Sequence, residues 1–194
     1  DGATVAMREY EKAKEDIVRY LMDRAAEIAR ELGLSPTSAA VRAKFRAEAS
    51  QQLVRLSVLR RLAAKAKMAH VEEWIEAHVE EGRKVVVAAH HRDIVDEIAN
   101  RFGGLKIQGG MSVQDVEEAK RRFQEEADPV IVLSIQAAKT GHTLTAAQDI
   151  LFVEQPWTPA DLSQTYSRLH RIGQQGSVTA TYMLASNTVD QDIY

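Results

Sequence analysis

From residue 1 to about 81 the chain sets spaced apolar positions among alanine, leucine and charged residues, with Pro36 as the one proline in that stretch. That pattern predicts helix throughout, with one marked break. Gly33 suits a helix C-terminus, and Ser35-Pro36 reads as an N-cap followed by proline at the first helical position, where its missing N–H costs nothing. Two helical blocks therefore flank residue 34. A further helix places Met68, Val71, Ile75 and Val79 at three- and four-residue intervals, one stripe to bury, before Gly82 ends it. Beyond that glycine the pattern changes to short, β-branched, mostly continuous apolar runs: KVVVAA (84–89), LKIQ between Gly104 and Gly109, PVIVLSI (129–135), DILFVE (149–154) and VTATYML (178–184). Helix-like segments at 92–102, 113–126 and 160–171 alternate with them. Strands buried on both faces and separated by helices predict an α/β fold with a doubly wound parallel sheet and right-handed crossovers. Ligands gather at the carboxyl ends of such strands, so the loops after 89, 107, 135 and 153 are the ones to inspect.

Composition narrows the picture. With 194 residues, 45% hydrophobic and 27% charged, the chain has the make-up of a globular protein with room for a core and an appendage. No apolar run approaches a membrane span, and the first residues lack the order of a signal peptide. The absence of cysteine excludes disulfides and thiolate metal sites, and the six histidines show no HExxH spacing, so no metal site is expected within this chain. The net charge of -3 argues against a uniformly cationic surface, yet a basic run is present. Between 42 and 67, eight basic residues (Arg42, Lys44, Arg46, Arg55, Arg60, Arg61, Lys65, Lys67) face the single acid Glu48. This run is either a solvated helical face or a phosphate-facing surface, and the charges alone leave both open.

Two segments carry candidate chemistry. Gln136 to Thr145, after the strand PVIVLSI, joins small residues and Gly141 to Thr140, Thr143 and Thr145, so backbone and hydroxyls could approach a phosphate; an ordinary strand-to-helix turn has the same composition. Further on, QTYSRLHRIGQ (164–174) spaces Gln164, Arg168 and Arg171 four and three apart, on one helical face. Paired guanidinium groups near the carboxyl edge of a parallel sheet suit a multi-oxygen anion such as a phosphoryl group, though most arginine pairs are plain surface residues.

These segments, read together, resemble the C-terminal RecA-like helicase lobe of Swi/Snf-family (superfamily two) DNA-dependent ATPases, over residues 68–194. SIQAAKTGHTLTAAQDILFVEQPWTPADLSQTYSRLHRIGQ is similar to the family's motifs five and six with their usual separation, VVVAAHHRDIVDEI to motif four, and QGGMSVQDVEEAKRRFQ to the Asp-Gly-Ser/Thr element and its helix. The wording Ser-Ile-Gln-Ala-Ala most resembles the annealing-helicase branch, which rewinds DNA. The resemblance implies a RecA-like lobe at 68–194 with a helical protrusion at 1–67, acting as the second motor lobe of an ATP-dependent DNA translocase or helicase.

By position, the resemblance makes Arg168 and Arg171 the arginines that reach the γ-phosphate of ATP, Arg171 being the finger, with Gln164 coupling nucleotide to lobe closure and Gly141 beside the nucleotide. It sets His91, Arg92, Gly110, Met111, Ser112, Ser134, Lys139 and Thr140 toward the backbone of duplex DNA. The implied cofactors are ATP and Mg²⁺, held mainly by an N-terminal lobe, and the implied location is a bacterial or phage-infected cytoplasm, or a nucleus. The chain departs from the family at Ser167, where aspartate is usual, at Val116, where many members carry arginine, and at Gln108-Gly109-Gly110 in place of Asp-Gly. It contains neither a GxxxxGK[ST] loop nor an Asp-Glu-x-His element, so alone it is expected to hydrolyse ATP negligibly and to be a piece of a longer protein. A stand-alone nucleic-acid-binding or regulatory module is the alternative reading. A small-molecule Rossmann enzyme would need a GxGxxG after its first strand, which this chain lacks.

Overall fold

The computed structural model describes residues 2–47, 49–138, 144–155 and 177–193. Contacts divide the chain into two compact units, Asp1–Ala66 and Lys67–Tyr194.

The first unit is helical. Helix α1 (Gly2–Leu32) packs against α2 (Ala39–Ala47) and α3 (Ala49–Ala66). Its buried Ala6, Tyr10, Ile17 and Ile28 recur at multiples of the helical turn, so one stripe meets the partners. Gly33 ends the helix at a φ of 63°, which lets Leu34 N–H reach back 3.0 Å to Ala29 O. The restart differs from the sequence expectation. Ser35 to Ser38 form a turn, with Ser38 N–H donating to Ser35 O at 2.9 Å and Pro36 inside it, and Ser38 is the residue whose hydroxyl accepts from Val41 N–H at 3.3 Å to start α2. Proline's fixed φ serves the turn here rather than the first turn of helix.

The second unit is α/β. Helix α4 (Met68–Glu80) leads through Gly82, at φ 74°, into β1 (Val85–Ala89); then follow α5 (Arg92–Arg101), β2 (Lys106–Ile107), α6 (Val113–Glu125), β3 (Val130–Ser134), α7 (Ile135–Ala138), β4 (Asp149–Phe152), β5 (Thr179–Tyr182) and α8 (Val189–Ile193). The five strands are all parallel, in the order β2-β3-β1-β4-β5. Val86, Ile131 and Ile150 lie side by side in register, and with Phe123 and Ala119 of α6 they build the core on one face. Val85, Val87, Val130, Val132 and Leu151 point the other way and are equally buried, so a second helical layer is required. Helix α5, with Ile94, Val95, Ile98 and Ala99 buried, packs on β1 and β3. The crossover through α5 runs outward to β2 and the one through α6 runs back to β3, which puts the two helices on opposite faces when both are right-handed.

Three local differences follow from context. Ile135 begins a helical turn instead of ending a strand, because Ser134 Oγ accepts from Ala137 N–H at 3.1 Å. The LKIQ run forms a strand only at Lys106–Ile107. Strand β5 is an edge and is half-exposed, unlike the fully buried inner strands β3, β1 and β4.

Part of the basic run is engaged within its own unit. Arg60 is buried, the Arg55 guanidinium lies 3.6 Å from the Tyr20 ring centroid, and Lys44 pairs with Glu31. Lys67 belongs to the sheet unit, where its Nζ donates to Met183 O at 2.7 Å and pairs with Asp190 Oδ2 at 2.5 Å.

Candidate nucleotide and nucleic-acid interface

The chain leaves β1 toward β3 and β2 but leaves β4 toward β5, so β1 and β4 flank the point where the strand order reverses. A crevice at the carboxyl ends of such a pair is where open parallel sheets bind ligands. Glu154, two residues past β4 and 1% exposed, occupies that point. Its Oε2 accepts from the backbone N–H groups of His90 at 2.7 Å and His91 at 2.8 Å, and its Oε1 from His91 Nδ1 at 2.5 Å. The His90 and His91 rings meet edge to face, 4.9 Å apart. With its ring turned to Glu154, His91 opens α5 without a side-chain cap.

Arg92 is the first residue of that helix and is exposed. It reaches the loop after β2, where its Nη2 donates to Gly109 O. One helical turn on, Asp96 Oδ1 accepts from Lys106 Nζ at 2.6 Å and from Gln108 Nε2 at 3.1 Å. The Lys106 hydrogen bond holds the Asp96 carboxyl below its ordinary range. Arg92 and Asp96, on one face of α5, therefore pin both ends of the short β2 loop. Within that loop Gly110 adopts φ 90°, and a Cβ there would stand 3.3 Å from Arg92 Nη2. Met111 closes the turn, its Sδ 3.3 Å from Gln108 N. Ser112 caps α6, accepting from Asp115 N–H at 3.1 Å and donating to Asp115 Oδ2 at 2.7 Å.

The structure thus brings His91, Arg92, Gly110, Met111 and Ser112 onto one edge formed by two neighbouring loops. Ser134 lies at the same carboxyl edge but is buried, its hydroxyl spent on capping α7. Val116 packs against the core beside Phe123. Lys139, Thr140, Gly141, Gln164, Arg168 and Arg171 fall outside the described residues. Among the described residues no three His, Asp or Glu side chains converge as metal ligands, and no helix is long and apolar enough to cross a membrane. Sequence reasoning missed Glu154, Asp96 and Lys106. A carboxylate closing the apolar run DILFVE was the available signal for the first, since a charge buried at a strand end requires partners. The other two are linked only by the fold.

A parallel sheet of this order, with α5 and α6 on its first two crossovers and polar residues at its carboxyl edge, is the architecture expected of a helicase C-terminal lobe. Residues 66–173 match the family described as "Helicase conserved C-terminal domain", and the chain belongs to that family. It is 36% identical over 137 residues to the "SWI/SNF-related matrix-associated actin-dependent regulator of chromatin subfamily A-like protein 1" of Drosophila melanogaster, covering 68% of this chain and 18% of that protein. It is 35% identical over 132 residues to the human "DNA annealing helicase and endonuclease ZRANB3", covering 64% and 12% respectively. The chain thus spans less than a fifth of either relative. In fold it is similar to the crystal structure of the C-terminal part of the Fun30 ATPase domain, with a TM-score of 0.61, 23% identity, and coverage of 66% of this chain and 44% of that one.

Proposed function

We propose that this chain is the second motor lobe of a Swi/Snf-type, ATP-dependent DNA translocase that acts on duplex DNA. The observation that carries the reading is the joined edge at the carboxyl ends of β1 and β2, where Arg92 ties its own loop to Gly109 and keeps His91, Gly110, Met111 and Ser112 together. An edge of exposed backbone, hydroxyl and guanidinium groups is suited to phosphates, which position a protein on DNA without reading sequence. Lys139 and Thr140, outside the described residues, are assigned to the same interface by their family positions, and Ser134 caps the turn that precedes them. Since the human relative's name includes DNA annealing, rewinding is the activity we expect of the whole motor.

The donor set Gln164, Arg168 and Arg171 fits a triphosphate, because two guanidinium forks present several N–H groups to non-bridging oxygens. ATP, with its Mg²⁺ on a first lobe, supplies the phosphoryl group transferred to water. Arg171 holds the charge that develops on the γ-phosphoryl oxygens, Arg168 steadies the same group, Gln164 senses its presence, and Gly141 allows close approach of the backbone. In the full-length protein, Arg171→Ala should lower DNA-stimulated turnover by about 10³-fold or more while nucleotide binding stays within about threefold. Turnover equal to wild type would overturn the assignment.

A further inference from the structure

Resting on that reading, we infer that Glu154 is a positioning residue that holds the His90–His91 loop in the conformation presenting His91 and Arg92 to the DNA backbone. The geometry is unusually committed for a two-residue loop. One carboxylate takes both backbone N–H groups and the ring Nδ1–H of His91, three bonds to residues 63 and 64 positions earlier in the chain. His91 O already accepts from Val95 N–H of α5 at 3.1 Å, but the N–H groups of His90 and His91 precede the helical ladder and need an acceptor of their own. Glu154 supplies that acceptor, and as a carboxylate it makes the bonds charge-assisted. By accepting from Nδ1–H it also fixes the imidazole tautomer and orients the ring, so His91 does not turn to cap α5.

The consequence runs along the chain. The backbone of His91, with φ -81° and ψ 135°, sets the direction in which α5 starts. That start aims Arg92, and Arg92 reaches Gly109. Loss of the carboxylate releases His91 and the first turn of α5 together, and with them the link to the β2 loop. The residue touches neither DNA nor nucleotide in this account, so its removal is expected to show in DNA affinity more than in the chemical step.

The test uses the full-length protein and DNA-stimulated ATP turnover as a function of duplex DNA concentration. Glu154→Ala should raise the DNA concentration for half-maximal stimulation by about tenfold, as expected for the loss of charge-assisted bonds, while turnover at saturating DNA changes by less than about twofold. Glu154→Gln keeps the volume and one oxygen for the two backbone amides but opposes an amide N–H to His91 Nδ1–H, so it should give a smaller rise of about threefold. The order wild type, glutamine, alanine is the signature of positioning, and if the alanine variant does not fold, the glutamine variant alone must show its shift. A half-maximal concentration within a factor of about 1.5 of wild type in a folded Glu154→Gln, or lowered maximal turnover at unchanged DNA dependence in either variant, would overturn the inference while leaving the motor assignment intact. Wild-type turnover that ignores DNA would remove the motor assignment, and this inference with it.

Discussion

Replacing Lys67 by methionine removes one half of an ion pair in which each side chain is only 4% exposed. Lys67 Nζ is held by Asp190 Oδ2 at 2.5 Å and by Met183 O at 2.7 Å, and Asp190 Oδ2 also accepts from Ala185 N–H at 3.1 Å. The pair spans 123 positions and ties the residue before α4 to α8 near the end of the chain. Methionine fills the volume of the lysine stem, so the loss is electrostatic: Asp190 stays buried with its charge uncompensated. Breaking such a pair costs about 3–5 kcal/mol, whereas removing both charges costs much less. For a unit of this size that is about 15 °C in Tm. Both tryptophans, Trp74 and Trp157, belong to the Lys67–Tyr194 unit, so their fluorescence in urea follows this unit and not the helical one. Lys67→Met should move the midpoint down at constant m, and the Lys67→Met, Asp190→Leu double variant should recover a coupling energy of about 2 kcal/mol. A single-variant loss below about 1 kcal/mol, the size of an exposed pair, or strictly additive losses would refute the claim that this contact is desolvated.

Gly110→Ala should destabilise by about 1–2 kcal/mol, because an L side chain is strained at φ 90° and its Cβ would press on Arg92 at 3.3 Å. Gly109→Ala, whose Cβ would meet the same nitrogen at an ordinary 3.8 Å, should cost less than about 0.5 kcal/mol; equal losses in urea denaturation would show that the Arg92 contact does not form. The Asp96 carboxyl is held below its ordinary 3.8 by Lys106, so its contribution is fully present above the unfolded-state value and is lost as pH falls through the lower folded-state value. Lys106→Met should therefore raise the Asp96 titration midpoint in an NMR titration and cost about 0.5 kcal/mol at neutral pH, with the difference vanishing near pH 2; an unmoved midpoint would refute the pairing.

The continuous apolar runs made the parallel sheet legible, because strands such as Val85–Ala89 and Val130–Ser134 are buried on both faces and admit no polar alternation. Local rules failed where a neighbour outbid them. Pro36 could open a helix, yet the hydrogen bond from Ser38 N–H to Ser35 O makes it part of a turn. Ile135 could extend a strand, yet the Ser134 hydroxyl starts a helix under it. The basic run at 42–67 shows the limit most clearly. Its charges are countable in the sequence, but their partners are not: Glu31 for Lys44, the Tyr20 ring for Arg55 and Asp190 for Lys67 are set by packing. Arg60 is buried and these three are engaged, so half of the run is already committed to partners within the protein.

The same reasoning separates the two halves of the candidate site. Gln164, Arg168 and Arg171 are legible because their four- and three-residue spacing is local to the sequence and resembles that of a family motif. The proposed DNA edge is not of that kind. His91 and Arg92 follow β1, Gly109 to Ser112 follow β2, and the strand between these two in the sheet is β3. What joins them is a side chain from α5, and what orients that helix is a carboxylate after β4. A buried Glu154 would be a costly choice for a strand end with no task, since a desolvated carboxylate must be repaid by every donor it can find. Its described donors include the backbone and ring of the loop that carries the proposed DNA contacts. The electrostatic cost of burying the charge and the placement of that loop are therefore one structural decision, and it is made at the point of the sheet where the strand order reverses.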